Sequence, residues 1–166
     1  MKARVLPQLA YVTDPLDLIN RSHKFALAAL HFYQHLPKTP ETQIPGRQFY
    51  RASTAVEFNY RAAKRGRSTA EFIAKLGVVV EEIDEAVGWL EHMRDGGVAY
   101  DTGLLSEAEQ LRKIFGRSLG TARQNKRLRD QRLKDQRRTR GADLYDLRIY
   151  GSQGSRDLLF LRSLDP

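Results

Sequence analysis

The chain has 166 residues, 29% of them charged and 41% hydrophobic, enough for one ordinary soluble domain with a real core. It has no cysteine, which excludes disulfides, zinc–thiolate sites and cysteine nucleophiles and fits a reducing, cytoplasmic setting. The formal net charge of +8 is concentrated: residues 123–140 hold nine Lys/Arg against two Asp/Glu, residues 1–122 hold 16 against 14, and residues 141–166 three against four.

A basic segment that dense suggests a polyanion partner, although composition alone weighs a solvated helix face equally. The opening MKARVLPQLAYV lacks the long apolar run of a signal peptide. The longest apolar runs, such as Leu76–Val80, are far too short to cross a bilayer.

Residues 1–13 show no period and read as a lead. Asp14-Pro15 then reads as an N-cap followed by proline at the first helical position. From Leu16 to Leu36, Ile19, His23, Ala26, Leu30 and Tyr33 recur at spacings of three and four and predict one buried helix face. Pro37, Pro40 and Pro45 predict a loop that no helix crosses, with a second helix from about Gly46 to Arg65. Its stripe is Phe49, Ala52, Val56, Asn59 and Ala63, and Gly66 ends it. Ser68 and Glu71 form a capping box for a third helix. Its main stripe is Ile73, Leu76, Val80, Ile83, Val87 and Leu90, flanked by Phe72, Val79, Ala86 and Met93, until Gly96-Gly97 stop it.

Ser106 and Glu109 offer another capping box for a fourth helix, with a stripe of Leu111, Phe115, Ser118, Leu119 and Ala122. Between Ala122 and Arg140 only Leu128 and Leu133 are apolar, but helix propensity persists. The fourth helix is therefore expected to continue as a polar arm to Arg140, where Gly141 breaks it. Residues 141–166 read as a tail, either disordered or docked on the bundle or a partner. Four amphipathic helices with short connections predict an all-α, antiparallel up-down-up-down bundle over residues 14–122, followed by the basic arm at 123–140.

Several stretches then resemble a known family. They are DLINRSHKFA (17–26), RASTAVEFNYRAA (51–63), S-x-x-x-F-I-x-K-L (Ser68 to Leu76), EEIDEAVGWL (81–90) and L-x-x-I-F-x-x-S-x-x-T-A-R (Leu111 to Arg123). Together, across roughly residues 16–125, they resemble the four-helix-bundle proteins encoded in 23S rRNA intervening sequences. The resemblance implies a homo-oligomer, often a pentameric ring, with no known catalysis. A related branch comprises the accessory proteins of diversity-generating retroelements, basic bundles that associate with a reverse transcriptase and with nucleic acid. This chain departs from the pattern at Ala55 and Ala62, where the family commonly has Ser and Glu.

The candidate chemistry is sparse. Glu81, Glu82, Asp84 and Glu85 cluster on the third helix, but the Glu-x-x-His spacing of a di-iron bundle is missing, so no metal or other cofactor is expected. Structural ion pairs of Glu82 and Glu85 with Arg51 and Lys75 are expected instead, from the facing stripes and from the resemblance. His31 and His35, four apart, lack a third ligand and read as surface histidines. Asn59 is either a register-fixing contact or a satisfied boundary residue. Gly116 and Gly120 suggest close helix packing, and Trp89 reads as partly buried core or interface. No nucleophile–base arrangement or phosphate loop stands out, so no enzymatic activity is expected.

The strongest functional candidate is the arm. Arg123, Lys126, Arg127, Arg129, Arg132, Lys134, Arg137, Arg138 and Arg140 offer several phosphate contacts on one helix. Lys64, Arg65 and Arg67 at the turn into the third helix form a secondary candidate. The sequence thus reads as a homo-oligomeric bundle that binds RNA or DNA through charge. The alternative is a structural scaffold that recruits a protein such as a reverse transcriptase. Without a large apolar face on the arm, a membrane is not the expected partner.

Overall fold

In the computed structural model, the backbone is described for residues 17–161 and side chains for residues 17–139. Four helices make up the described chain: α1 (Leu18–His35), α2 (Pro40–Lys64), α3 (Thr69–Asp95) and α4 (Thr102–Leu161). The predicted cap at Asp14-Pro15 lies outside the described residues. The observed start of α1 is capped by Asp17, whose carboxylate accepts the Asn20 N–H at 3.0 Å. Leu36, in extended conformation before Pro37, ends the helix.

The three-proline loop is not as expected. α2 begins at Pro40, where an N–H would have no helical partner, and runs through Pro45. Pro45 removes one helical hydrogen bond, but the turn ahead of it is held by the Gln43 N–H donating to the Thr39 carbonyl at 2.9 Å. Pro45 and Gly46 are both buried, so tertiary packing outweighs the local cost. Gly46 lies tight against the C-terminal end of α1. A Cβ there would collide with Leu36 Cδ1 and lie 3.3 Å from Tyr33 Cδ2.

α3 starts at the Ser68 cap: Ser68 Oγ accepts the Glu71 N–H at 3.1 Å, and Glu71 reaches back to the Arg67 N–H at 2.9 Å. It ends at Gly96, followed by Gly97 with φ +69°, a conformation that suits glycine. α4 starts four residues ahead of the expected Ser106 cap, because Asp101 already accepts the Leu104 N–H at 2.9 Å. Nor does it stop at Gly141. It continues to Leu161, since one helical glycine costs only about 1 kcal/mol relative to alanine.

Residue pairs show the up-down order. Tyr33 stacks on Tyr50 and His23 meets Glu57, so indices fall along α1 as they rise along α2. α2 faces α3 through Arg51 and Glu85, and α4 returns past α3 and α2 through Arg112–Asp84 and Tyr60–Phe115. The fold is an all-α four-helix bundle.

The interior is built from Phe25 and Phe32 of α1 and Leu36 at its end, Phe49, Val56 and Tyr60 of α2, and Leu76, Val79, Ile83, Val87, Leu90 and Met93 of α3. Leu104, Leu105, Leu111, Phe115 and Leu119 of α4 complete it. Two sequence expectations shift here. On α1 the buried row is Ser22, Phe25, Ala29 and Phe32, joined by the expected Ala26, while Ile19 is exposed and His23, Leu30 and Tyr33 are half-buried. On α3 the row taken as flanking, Val79, Ala86 and Met93, is fully buried, and Ile73 and Val80 are partly exposed. On α1 both rows fit a 3–4 spacing and the neighbouring helices decide which faces inward; on α3 the expected stripe residues Leu76, Ile83, Val87 and Leu90 are fully buried as well, so a wide face packs inward as a whole.

Candidate nucleic-acid interface

The arm lies within α4, past its last core residue, Leu119. Arg123, Arg127, Arg129, Arg132, Lys134, Arg137 and Arg138 are exposed, and Lys126 is half-exposed. Among the described side chains of the arm, only Lys126 is ion-paired, with its Nζ 2.7 Å from Asp130 Oδ2. That contact holds the Asp130 carboxyl below its ordinary value. Arg140 is helical, but its side chain lies outside the described residues. Lys64, Arg65 and Arg67 are exposed together in the turn between α2 and α3.

The expected ion-pair group is only partly brought together. Arg51 Nη2 donates to both Glu85 oxygens, at 3.0 and 3.2 Å, and Trp89 Nε1 donates to Glu85 Oε1 at 3.2 Å. Asp84 pairs with Arg112 at 3.3 Å. Among the described residues, Lys75 and Glu82 form no ion pair. Glu82 Oε2 is buried with no hydrogen-bond partner. Burial, and then the negative charge of Glu85, raise the Glu82 carboxyl above its ordinary 4.5.

The raised Glu82 value has a definite sign for stability. Below the ordinary value both the folded and unfolded chains carry the proton, and Glu82 has no destabilising effect. As pH rises through 4.5 the unfolded chain ionises first, so stability falls until the folded carboxyl has ionised too. Glu82→Gln should therefore raise the urea midpoint at pH 7 and leave it nearly unchanged at pH 4. An equal shift at both pH values would refute the assignment.

Sequence reasoning missed two charged sites inside the bundle. Arg21 Nε and Nη2 donate to Glu107 Oε1 and Oε2 at 2.6 and 2.8 Å, and Nη2 also donates to Gln110 Oε1 at 2.8 Å. The Glu107 hydrogen bond raises the already high pKa of Arg21, which stays charged. Buried Glu57 pairs with His23 at 2.9 Å and Arg61 at 3.0 Å. The available signal was an acid on an apolar face: Glu107 lies three residues from Leu104 and four from Leu111. A helix start at Ser106 would put Glu107 in the first turn, where an acid is common.

The remaining candidates are local. His35 Nδ1–H donates to the His31 carbonyl at 2.7 Å, and the two rings stack at 5.6 Å. Asn59 Nδ2 donates to the Ala55 carbonyl of its own helix at 2.9 Å, which satisfies it. Gly116 and Gly120 are exposed, and a Cβ on either would meet nothing within 4 Å among the described residues, so no described helix packs closely there. Trp89 is partly buried against the core, with the His92 ring edge-on at 5.8 Å. Among the described residues, no group of three or more His, Asp or Glu is placed to hold a metal ion. No described helix is long and apolar enough to cross a membrane.

No protein-family model matches this chain, and no curated protein matches it. A solved structure does: a protein of unknown function from the S23 ribosomal protein family of Bacteroides thetaiotaomicron. It is 23% identical, with a TM-score of 0.55, over 61% of this chain and 96% of that one. At that identity the likeness shows a shared fold, the helical bundle described above.

Proposed function

We propose that this chain is a non-enzymatic, homo-oligomeric, cytoplasmic bundle protein that binds RNA or DNA electrostatically through residues 123–140. The carrying observation is the row of exposed basic side chains from Arg123 to Arg138 on one helix, with only Asp130 and Asp135 among them. Lys/Arg contacts to phosphates release condensed counterions and give sequence-tolerant, salt-sensitive affinity. Most of these residues are arginines, whose planar guanidinium suits bidentate phosphate contacts. Lys64, Arg65 and Arg67, beside the N-terminus of α3, would add a secondary phosphate contact.

Assembly would present several arms together and multiply modest affinities. On α2, Ile44 and Phe58 lie two heptads apart and are 56% and 65% exposed, which favours a helix-to-helix contact between copies. The same proposal includes kinship with the 23S rRNA intervening-sequence proteins and their retroelement-accessory branch, with a pentameric ring as its form. It is supported by the motifs along residues 16–125 and by the bundle shared with the S23-family structure. The exposed apolar positions also favour a second reading, a scaffold that recruits a protein such as a reverse transcriptase.

The test is binding of labelled single-stranded RNA and duplex DNA by the full chain and by a variant with Arg127, Arg132, Lys134 and Arg138 changed to Gln. Between 50 and 200 mM salt the full chain should lose affinity steeply, and each duplex phosphate contact removed should lower the log–log slope by about 0.9. A folded, assembled full chain that binds neither probe at low salt overturns the reading and directs the search to a protein partner.

A further inference from the structure

The arrangement of charge within the arm narrows the class of nucleic acid, and this step rests on the nucleic-acid reading above. Lys126 and Arg127 form one adjacent basic pair; Arg137 and Arg138 form another, 11 residues further on. Both pairs lie within the uninterrupted helix α4. Eleven residues is close to three turns at about 3.6 residues per turn, so the two pairs share a face, about 16 Å apart along the axis. Lys134 lies on that same face, one turn before Arg138. Arg132 lies on the opposite side of the helix and Arg129 to one flank.

Between the pairs and on their face, about one turn beyond the first, sits Asp130, bonded to Lys126 at 2.7 Å. A single strand laid lengthwise along this face would run its phosphates past that carboxylate. Residues 124–139 also contain no Phe, Tyr, Trp or His, so the arm lacks the rings on which unpaired bases stack. A double helix presents something different: two phosphate rims separated by an open groove. The B-DNA major groove is about 12 Å wide between its rims, and the phosphates on either side add to the span. A-form RNA has a comparably wide, shallow minor groove.

We propose that the arm lies across a wide groove of a double helix, with Lys126/Arg127 on one phosphate rim and Arg137/Arg138 on the other. Asp130 then faces the groove, where no phosphate meets it. Lys134 supports the second rim. Recognition of this kind reads duplex geometry and not base sequence.

The experiment uses the full chain with four labelled probes at equal salt: a short duplex DNA, the duplex RNA of the same sequence, and one strand of each. Three variants are compared. K126Q/R127Q removes one rim contact. R129Q/R132Q removes the same charge off the face. Two alanines inserted between Gln131 and Arg132 keep every charge but turn the two pairs to opposite faces. All change exposed or half-exposed positions, and circular dichroism checks that helix content is kept.

A duplex should bind about tenfold tighter than its own strand. K126Q/R127Q and the insertion should each lose about tenfold on the duplex, and R129Q/R132Q no more than about threefold. The duplex RNA and DNA arms show which groove is crossed. Single strands binding as tightly as duplexes, or an insertion without effect on duplex affinity, would overturn groove crossing and leave the electrostatic reading standing. A full chain that binds none of the four probes refutes both.

Discussion

Glu107→Ala is expected to cost the bundle about 3–5 kcal/mol, because it leaves a desolvated guanidinium without its counterion. The Arg21 and Glu107 side chains are only 13% and 9% exposed, and their two hydrogen bonds are the short, forked pair that guanidinium and carboxylate geometry favours. Arg21 cannot relieve the loss by giving up its proton, since a guanidinium stays protonated in proteins even without an acid beside it. Removing both charges together is a different matter. The double variant R21M/E107L should recover most of the lost stability, as apolar replacements of buried ion pairs commonly do. Urea unfolding of the two single variants and the double one measures this as a cycle. A Glu107→Ala cost below about 1 kcal/mol would mean the pair is hydrated and adds little.

Phe49→Ala should be comparably damaging for a different reason. Phe49 is fully buried at the seam of α1 and α2, edge-on to Phe25 at 6.1 Å and to Phe32 at 5.8 Å. Deleting its ring leaves a cavity and removes both aromatic contacts, for a loss of about 3–5 kcal/mol. At about 2–4 °C per kcal/mol, calorimetry should show a fall in Tm of roughly 6–20 °C. Phe58→Ala, on the same helix but 65% exposed, serves as the comparison and should change monomer stability by no more than about 0.5 kcal/mol. Equal losses at the two positions would contradict the burial of Phe49.

The features that were legible in the sequence are those whose cause is local. Ser68 and Glu71 mark the start of α3 because cap and partner are three residues apart. The basic arm is visible because charge density needs no fold to be counted. Where partners decide, local rules fell short. Pro45 looked like a barrier because its lost hydrogen bond is a local cost, whereas the packing of Pro45 and Gly46 that offsets it is not. The inner face of α1 was misplaced in part: Ala26 is buried as expected, but Ile19 and Leu30 keep the same rhythm as Phe25 and Phe32, and only the neighbouring helices choose between them. The Arg21–Glu107 pair joins residues 86 positions apart. Nothing short of the assembled bundle brings them together.

Trp89 is the chain's single tryptophan, and its environment makes it a built-in optical probe. Its indole N–H is held by Glu85, its ring rests partly on the core, and His92 stands edge-on beside it. All tryptophan emission therefore originates at one known point on α3. Melting of the bundle would expose the ring and shift its colour. Residues 124–139 carry no aromatic group and are silent at these wavelengths. Fluorescence thus separates loss of the bundle from events confined to the arm, in the same cuvette and without a label.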